Sequence, residues 1–190
     1  SVRYYGTTKF TESSAKVEQA RRGYRSAAYK RNSIIRLIGD TLSITDYGET
    51  LPATNPGSPE IHHLYEESVK AVERLYSSVK RKRDPVETAV YRKVFGLFKI
   101  LEQAERRVRQ QRKNLEGTLE RFWQIRSKYA SEYPLSINKR GNRFKGSVRL
   151  CEREIELPVD RRLAFTEAFF QLFDEVWWSS PRPGVMQNLE

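Results

Sequence analysis

Apolar residues recur every three or four positions along most of the chain between Ile61 and Tyr129, which is the spacing of one helix face. A second helical segment, apolar on nearly all sides, covers Asp160–Trp178, and helices of that kind are normally buried. Ser147 to Leu157 instead alternates apolar and polar residues, which predicts a strand. The sequence therefore predicts a mainly α fold, a helical bundle with a small β element before the last helix.

Two helix-start signals divide the long periodic region. Ser58-Pro59-Glu60 offers a capping serine, a proline at the first helical position and an acid in the first turn. The helix that follows is expected to end near Arg83, and Asp84-Pro85-Val86-Glu87 then starts the next one. An unbroken helix through the rest of the pattern would be unusually long, so we expect a break near Asn114 or Gly117.

Positive charge is concentrated at the amino end. The 190 residues carry a net charge of +11, and residues 1–39 hold seven of these charges because only Glu12 and Glu18 oppose nine cations. The nine cations are Arg3, Lys9, Lys16, Arg21, Arg22, Arg25, Lys30, Arg31 and Arg36. Lysine and arginine neutralise phosphates without reading bases. We therefore expect these nine residues to bind the backbone of a nucleic acid.

The amino-terminal segment is predicted to be an extended arm over residues 1–12 and an amphipathic helix from Ser14 to Ile38, ended by Gly39-Asp40. One face of this helix is cationic and polar, with Arg21, Arg22, Arg25, Tyr29, Asn32 and Arg36. The opposite face carries Ala20, Gly23, Ala27, Ile34 and Ile38. Small residues bury little area, so we expect weak anchoring but close approach to another surface. Tyr24 and Tyr29 are expected to pack against sugar or protein.

Four segments follow from these patterns. Residues 1–39 form the basic nucleic-acid-binding arm and helix, and residues 40–58 form a linker loop rich in turn residues. Residues 59–178 form the helical bundle, and residues 179–190 form a carboxyl-terminal tail.

Two further groups of cations lie in the predicted bundle. Lys80 to Arg83 end a helix, where cations suit the helix dipole, and that structural explanation stands level with a binding role. Arg106, Arg107, Arg109, Arg112 and Lys113 are interleaved with acids, which favours a solvated face.

No recognisable catalytic or cofactor-binding motif is present in the sequence. Cys151 is the single cysteine, and a buried inert thiol is the default for it. His62 and His63 are adjacent, so on a helix they point about 100° apart and do not share a metal. No apolar run approaches the roughly 20 residues that span a bilayer, and no signal peptide is visible. We therefore expect a non-enzymatic protein without cofactor, metal or small-molecule substrate.

The layout of Lys16–Ile38, Ser58–Arg83, Asp84–Tyr129 and Asp160–Trp178 resembles the major capsid proteins of filamentous archaeal viruses, the lipothrixvirus type. The resemblance implies a capsid protein that coats double-stranded DNA in a helical filament, without sequence specificity. It also implies a dimer with itself or with a paralogous subunit, and DNA held in the A form by the amino-terminal helices. The expected location is the virion, assembled in the host cytoplasm, with membrane contact only as a viral envelope.

Two other functions remain open at the level of sequence. A cellular nucleic-acid-binding helical protein, associated with the nucleoid or with RNA, would share the electrostatics but not the filament. A basic module at an anionic membrane surface is the third alternative, although the cationic helix lacks large apolar residues before Ile34.

Overall fold

The computed structural model of the protein describes residues 2–52, 60–128, 138–140, 143–157 and 162–173. Most of these described residues lie in four helices, α1 (Val2–Leu42), α2 (Ile61–Lys82), α3 (Pro85–Lys128) and α4 (Arg162–Leu172). Three short strands precede α4, namely β1 (Asn138–Arg140), β2 (Arg143–Leu150) and β3 (Arg153–Leu157). The prediction of a mainly helical bundle with a small β element before the last helix is confirmed.

The chain divides into two compact units. Unit 1 contains the described residues up to 25 and from 110 to 173, and unit 2 contains the described residues from 26 to 109. This division differs from the predicted one at residue 39, because α1 and α3 are 41 and 44 residues long and each contributes to both units. The predicted tail, residues 179–190, lies outside the described residues.

The predicted extended arm at residues 1–12 is wrong, because α1 is helical from Val2 onward. Aromatic and β-branched residues such as Tyr4, Tyr5 and Thr7 favour extended backbone, but that preference is weak. No proline occurs between Val2 and Leu42 to interrupt a helix. The amino end therefore continues the helix that follows it.

The predicted helix end at Gly39-Asp40 is also wrong, since α1 continues to Leu42. Gly39 is buried, and a Cβ atom there would lie 3.2 Å from Cδ1 of Leu64. The glycine therefore serves a close contact with α2 rather than a chain reversal. The helix ends three residues later, where the Thr45 hydroxyl donates a 2.8 Å hydrogen bond to the carbonyl of Leu42.

Part of the predicted linker 40–58 is ordered by short turns. A 3-10 turn occupies Asp46–Gly48, within unit 2. The rest of the predicted linker, from residue 53, and the predicted helix start at Ser58-Pro59 lie outside the described residues, and α2 is described from Ile61.

The junction between α2 and α3 follows the prediction. Arg83 adopts the left-handed conformation, with φ of 53°, and its N–H donates to the carbonyl of Val79. The Asp84 carboxylate then caps α3 by accepting hydrogen bonds from the N–H groups of Val86 and Glu87, at 2.8 and 3.2 Å. The Glu87 side chain accepts a 2.7 Å hydrogen bond from the Ser78 hydroxyl, which ties the start of α3 to α2.

The predicted break near Asn114 or Gly117 is wrong, because α3 is continuous from Pro85 to Lys128. Leu115 and Leu119 are fully buried on either side of Gly117, so packing holds the helix through the glycine. The Thr118 hydroxyl also bonds within the helix, donating to the carbonyl of Asn114 at 2.9 Å.

The segment predicted as one strand, Ser147–Leu157, reverses direction in its middle. β2 pairs antiparallel with β3, and Leu150 stands opposite Arg153. Cys151 and Glu152 form the two-residue turn, with φ of 51° and 63°, the signs that a type I′ hairpin turn requires. β1 pairs with the other edge of β2, which makes a three-stranded antiparallel sheet.

Each unit has its own apolar core. In unit 1, the core combines aliphatic side chains with aromatic rings, and Phe122 stacks on Phe165 with centroids 5.9 Å apart. The burial of Phe165 and Phe169 confirms that the last helix packs into a core. In unit 2, α1, α2 and α3 share a cluster that includes Ile35, Ile38, Leu42, Ile61, Leu64, Val69, Val72, Leu75, Val94, Phe98 and Leu101.

Candidate nucleic-acid interface

Five of the nine predicted cations are exposed along α1. Lys16, Arg22 and Arg25 are exposed in unit 1, and Lys30 and Arg36 are exposed in unit 2. Between residues 11 and 42 of α1, the exposed acids are only Glu12 and Asp40. We refer to Lys16, Arg22, Arg25, Lys30 and Arg36 as the exposed α1 cations.

Arg31 is not a surface residue, and its prediction as a phosphate contact is wrong. Its side chain is 1% exposed, and its Nε atom lies 3.3 Å from Oε1 of Glu105, which is also buried. The same Nε atom donates a 3.0 Å hydrogen bond to the side chain of Asn32, which is also buried. Burial raises the pKa of Glu105, and the charge of Arg31 opposes that rise. Arg31 therefore neutralises a buried carboxylate of its own unit.

Arg21 contributes to packing in unit 1. Its side chain is 14% exposed, and its guanidinium lies 4.4 Å from the ring centroid of Phe173 and 3.8 Å from the Glu18 carboxylate. Glu18 also pairs with Arg22, whose side chain is 77% exposed, at 3.0 Å. The side chains of Arg3 and Lys9 are not among those that the structure describes, so their role in binding stays a prediction.

The predicted apolar face of α1 is confirmed in part. Ala20, Ala27 and Ile38 are buried. At Gly23, an added Cβ would lie 2.8 Å from the side-chain oxygen of Gln111, so the small residue permits the close approach to α3 that was expected. The anchoring is stronger than predicted, because Tyr24 is fully buried and meets Phe170 edge to face at 6.0 Å.

Tyr29 remains on the surface, with 55% exposure, beside the exposed α1 cations of unit 2. An exposed tyrosine next to cations offers an apolar ring to a sugar or to another protein surface. Of the two tyrosines predicted to pack, Tyr24 is therefore a core residue, and Tyr29 alone keeps a side chain available to a partner.

A cavity of about 700 Å³ opens beside α1 in unit 1. Its lining combines the start of α1 with the β2–β3 turn and the end of α4, and comprises Thr11, Ser14, Ala15, Glu18, Arg21, Arg22, Cys151, Glu152, Arg153 and Phe173. Three arginines and two glutamates give it a small positive balance. Sequence reasoning missed the cavity because it depends on the unpredicted turn at Cys151-Glu152.

The thiol of Cys151 is held in its protonated form. Burial and the neighbouring Glu18 carboxylate, which accepts its hydrogen bond, raise the pKa of Cys151 to about 12. The same hydrogen bond lowers the pKa of Glu18. A thiol with this pKa is a poor nucleophile at neutral pH, as the sequence predicted for an inert cysteine.

The other predicted cation groups are largely exposed. Lys80 to Arg83 are all exposed at the end of α2, and Arg106, Arg107, Arg109 and Lys113 are exposed on α3. Arg112 differs, because its Nε atom bonds to Glu116 at 2.7 Å and its guanidinium lies 4.8 Å from the ring centroid of Phe170. The exposure of Arg106, Arg107, Arg109 and Lys113 fits both a solvated face and a binding role, and Arg112 alone of this group packs within unit 1.

The described residues form no metal-binding cluster and contain no helix that could span a membrane. His62 pairs with Glu66, with Nε2 3.1 Å from Oε1, and among the described residues no group of three or more potential ligands could hold a metal ion. Within that same part of the chain, no helix is both long and apolar enough to cross a membrane. Comparison with protein-family models, curated proteins and solved structures gave no match to this chain.

Proposed function

We propose that this chain is a structural, non-enzymatic protein that coats double-stranded DNA without sequence specificity, as the capsid subunit of a helical filament in a virion. The observation that carries the proposal is the set of exposed α1 cations, which stand along one helix with few exposed acids beside them. Arginine and lysine on a helix surface neutralise phosphates and release counterions whatever the base sequence.

Coating a polymer also requires contacts between subunits. The proposed partner is a second copy of this chain or a paralogous subunit. The resemblance in helix layout to filamentous-virus capsid proteins supports the filament, and the charge of α1 supports the DNA. A cellular nucleic-acid-binding protein would share the charge, so DNA binding alone does not distinguish the two roles.

The salt dependence of DNA affinity tests the role of α1. In the α1 variant, Lys16, Arg25, Lys30 and Arg36 are replaced with Gln; Arg21 and Arg22 are kept because both pair with Glu18. Each lost phosphate contact lowers the slope of log affinity against log salt by about 0.9. We expect the slope to fall by about two to four units for a random-sequence duplex.

A control variant removes the same charge elsewhere. Lys70, Arg74, Lys113 and Arg121 are exposed on α2 and α3, and their replacement with Gln changes the net charge equally. This variant should keep a slope close to that of the parent protein. An α1 variant with the parent slope would contradict the role proposed for α1.

A further inference from the structure

The greatest density of exposed positive charge in the described chain lies on α2 and α3 rather than on α1. Between Ser77 and Arg109, all within unit 2, the exposed acids are Asp84 and Glu102. Ten cations are exposed in the same stretch, namely Lys80, Arg81, Lys82, Arg83, Arg92, Lys93, Lys99, Arg106, Arg107 and Arg109. We refer to these ten residues as the α2–α3 basic face.

The acids of this stretch already contact groups of the chain. Asp84 caps α3, Glu87 accepts a hydrogen bond from Ser78, and Glu105 is buried against Arg31. Glu102 pairs with Arg106 at 3.4 Å. The α2–α3 basic face therefore keeps a large excess of exposed positive charge, which favours the binding of an anionic partner.

Helix dipoles do not account for the whole face. Cations at the end of α2 suit the dipole of that helix, but the effect is confined to the last turn. Arg92, Lys99 and Arg106 lie far from the carboxyl end of α3. They are seven residues apart, about 10.5 Å along the axis, so they line one side of the helix. Gly96 lies between them, and a Cβ added there would meet nothing within 4 Å.

A row of aromatic rings holds two of the lysines in place. Tyr76 on α2 meets Tyr91 on α3 with centroids 5.3 Å apart, and Tyr91 meets Phe95 at 6.0 Å. Lys80 lies 4.7 Å from the ring centroid of Tyr76, and Lys99 lies 4.8 Å from that of Phe95. These cation–π contacts restrict the two ammonium groups before a partner arrives, so less side-chain entropy is lost on binding.

We propose that the α2–α3 basic face is a second binding surface for the phosphate backbone of DNA, separate from the exposed α1 cations. The inference rests on the proposed function, because it assigns a further contact to the same polyanion. A filament subunit with two cationic surfaces contacts more phosphates than its amino-terminal helix reaches. The sequence left a binding role level with dipole stabilisation for Lys80 to Arg83 and favoured a solvated face for Arg106 to Lys113. The proposal assigns a binding role to Lys80 to Arg83, and to Arg106, Arg107 and Arg109 from the second group.

The test is the salt slope of an α2–α3 variant in which Arg81, Arg92, Lys93 and Arg107 are replaced with Gln. Lys80, Lys99 and Arg106 are kept because they contact rings or Glu102. We expect the slope to fall by about two to four units and the affinity in physiological salt to fall by about tenfold or more. Far-UV circular dichroism and thermal melting should match the parent protein.

A gentler substitution guards against a folding failure. Gly96→Glu places one acid in open space on the face, and Gly96→Gln is its neutral match. Gly96→Glu should lower the slope by about one unit relative to Gly96→Gln.

The outcomes separate this inference from the proposed function. If the α1 variant loses slope while the α2–α3 and Gly96→Glu variants do not, the second surface is refuted and the proposed function stands. If all these variants keep the parent slope, both proposals fail. A loss of slope in the α2–α3 variant alone supports the second surface and contradicts the role of α1. Altered sedimentation of the DNA-free α2–α3 variant, with an unchanged slope, would assign the face to a second copy of the chain and overturn the inference.

Discussion

At the scale of single residues, a cation's position on its helix decides whether it is available to a partner. Arg31 and Arg36 are five residues apart on α1, yet one is 1% exposed against Glu105 and the other is exposed. At 100° per residue, Arg31 lies about 20° from Ala20 and Ile38 on the apolar side of the helix, although no feature of the sequence names Glu105 as its partner. Only the packing of α1 on α3 within unit 2 identifies this pair.

Arg31→Met should destabilise the protein by about 3 to 5 kcal/mol at neutral pH, because it leaves the Glu105 carboxylate buried without its cation. Burial already raises the pKa of Glu105, and removal of Arg31 raises that pKa further. The unfolded chain keeps an ordinary carboxyl pKa. The variant therefore regains stability as the pH falls through the raised pKa towards the ordinary carboxyl range, and loses it as the pH rises.

Urea unfolding of Arg31→Met at several pH values measures this effect. A double variant, Arg31→Met with Glu105→Leu, removes both charges and should recover most of the lost free energy of unfolding. If Arg31→Met is as stable as the parent, or if its loss of unfolding free energy does not change with pH, then Arg31 and Glu105 do not form the buried ion pair described above.

At the scale of elements, the helix periods were predictable and several of the breaks were not. The α2–α3 junction could be predicted because Asp84-Pro85 is a helix-start signal, and in the structure Asp84 caps α3 through a hydrogen bond from a nearby N–H group, that of Val86. In the sequence, Gly39 and Gly117 predicted helix ends or breaks. In the structure Gly39 is buried against Leu64, and the burial of leucines on both sides of Gly117 keeps α3 helical there. The turn at Cys151-Glu152 contains no glycine or asparagine, so the usual sequence signal of a type I′ hairpin is missing.

Gly117→Ala should stabilise the protein by about 1 kcal/mol, because alanine has the higher helix propensity. Gly117 is exposed within α3, and an added Cβ meets nothing within 4 Å. Gly39→Ala is the matched control, since its Cβ would press on Leu64 at 3.2 Å and should give a smaller gain or a loss. The free energy of unfolding in urea measures both variants. Destabilisation by Gly117→Ala would argue that α3 is broken at this residue.

At the scale of the whole molecule, the sequence located an excess of positive charge but not its distribution over the surface. Residues 1–39 hold nine cations, of which five are exposed on described side chains. The stretch from Ser77 to Arg109 exposes ten cations. Glu87 and Glu105 lower the net charge counted along this stretch, but neither is exposed, because Glu87 bonds to Ser78 and Glu105 pairs with Arg31. Net charge counted along a sequence gives every acid equal weight, whereas a partner meets only the exposed ones.

The central claim, that the chain coats duplex DNA without regard to sequence, is tested most directly by titrating the full chain onto two long duplexes of unrelated sequence. Sedimentation gives the bound mass per base pair, and electron microscopy shows its distribution. The account predicts the same saturating mass ratio on both duplexes and continuous filaments of uniform width. Sparse binding that leaves bare DNA at saturation, or a ratio that depends on the sequence, would contradict it.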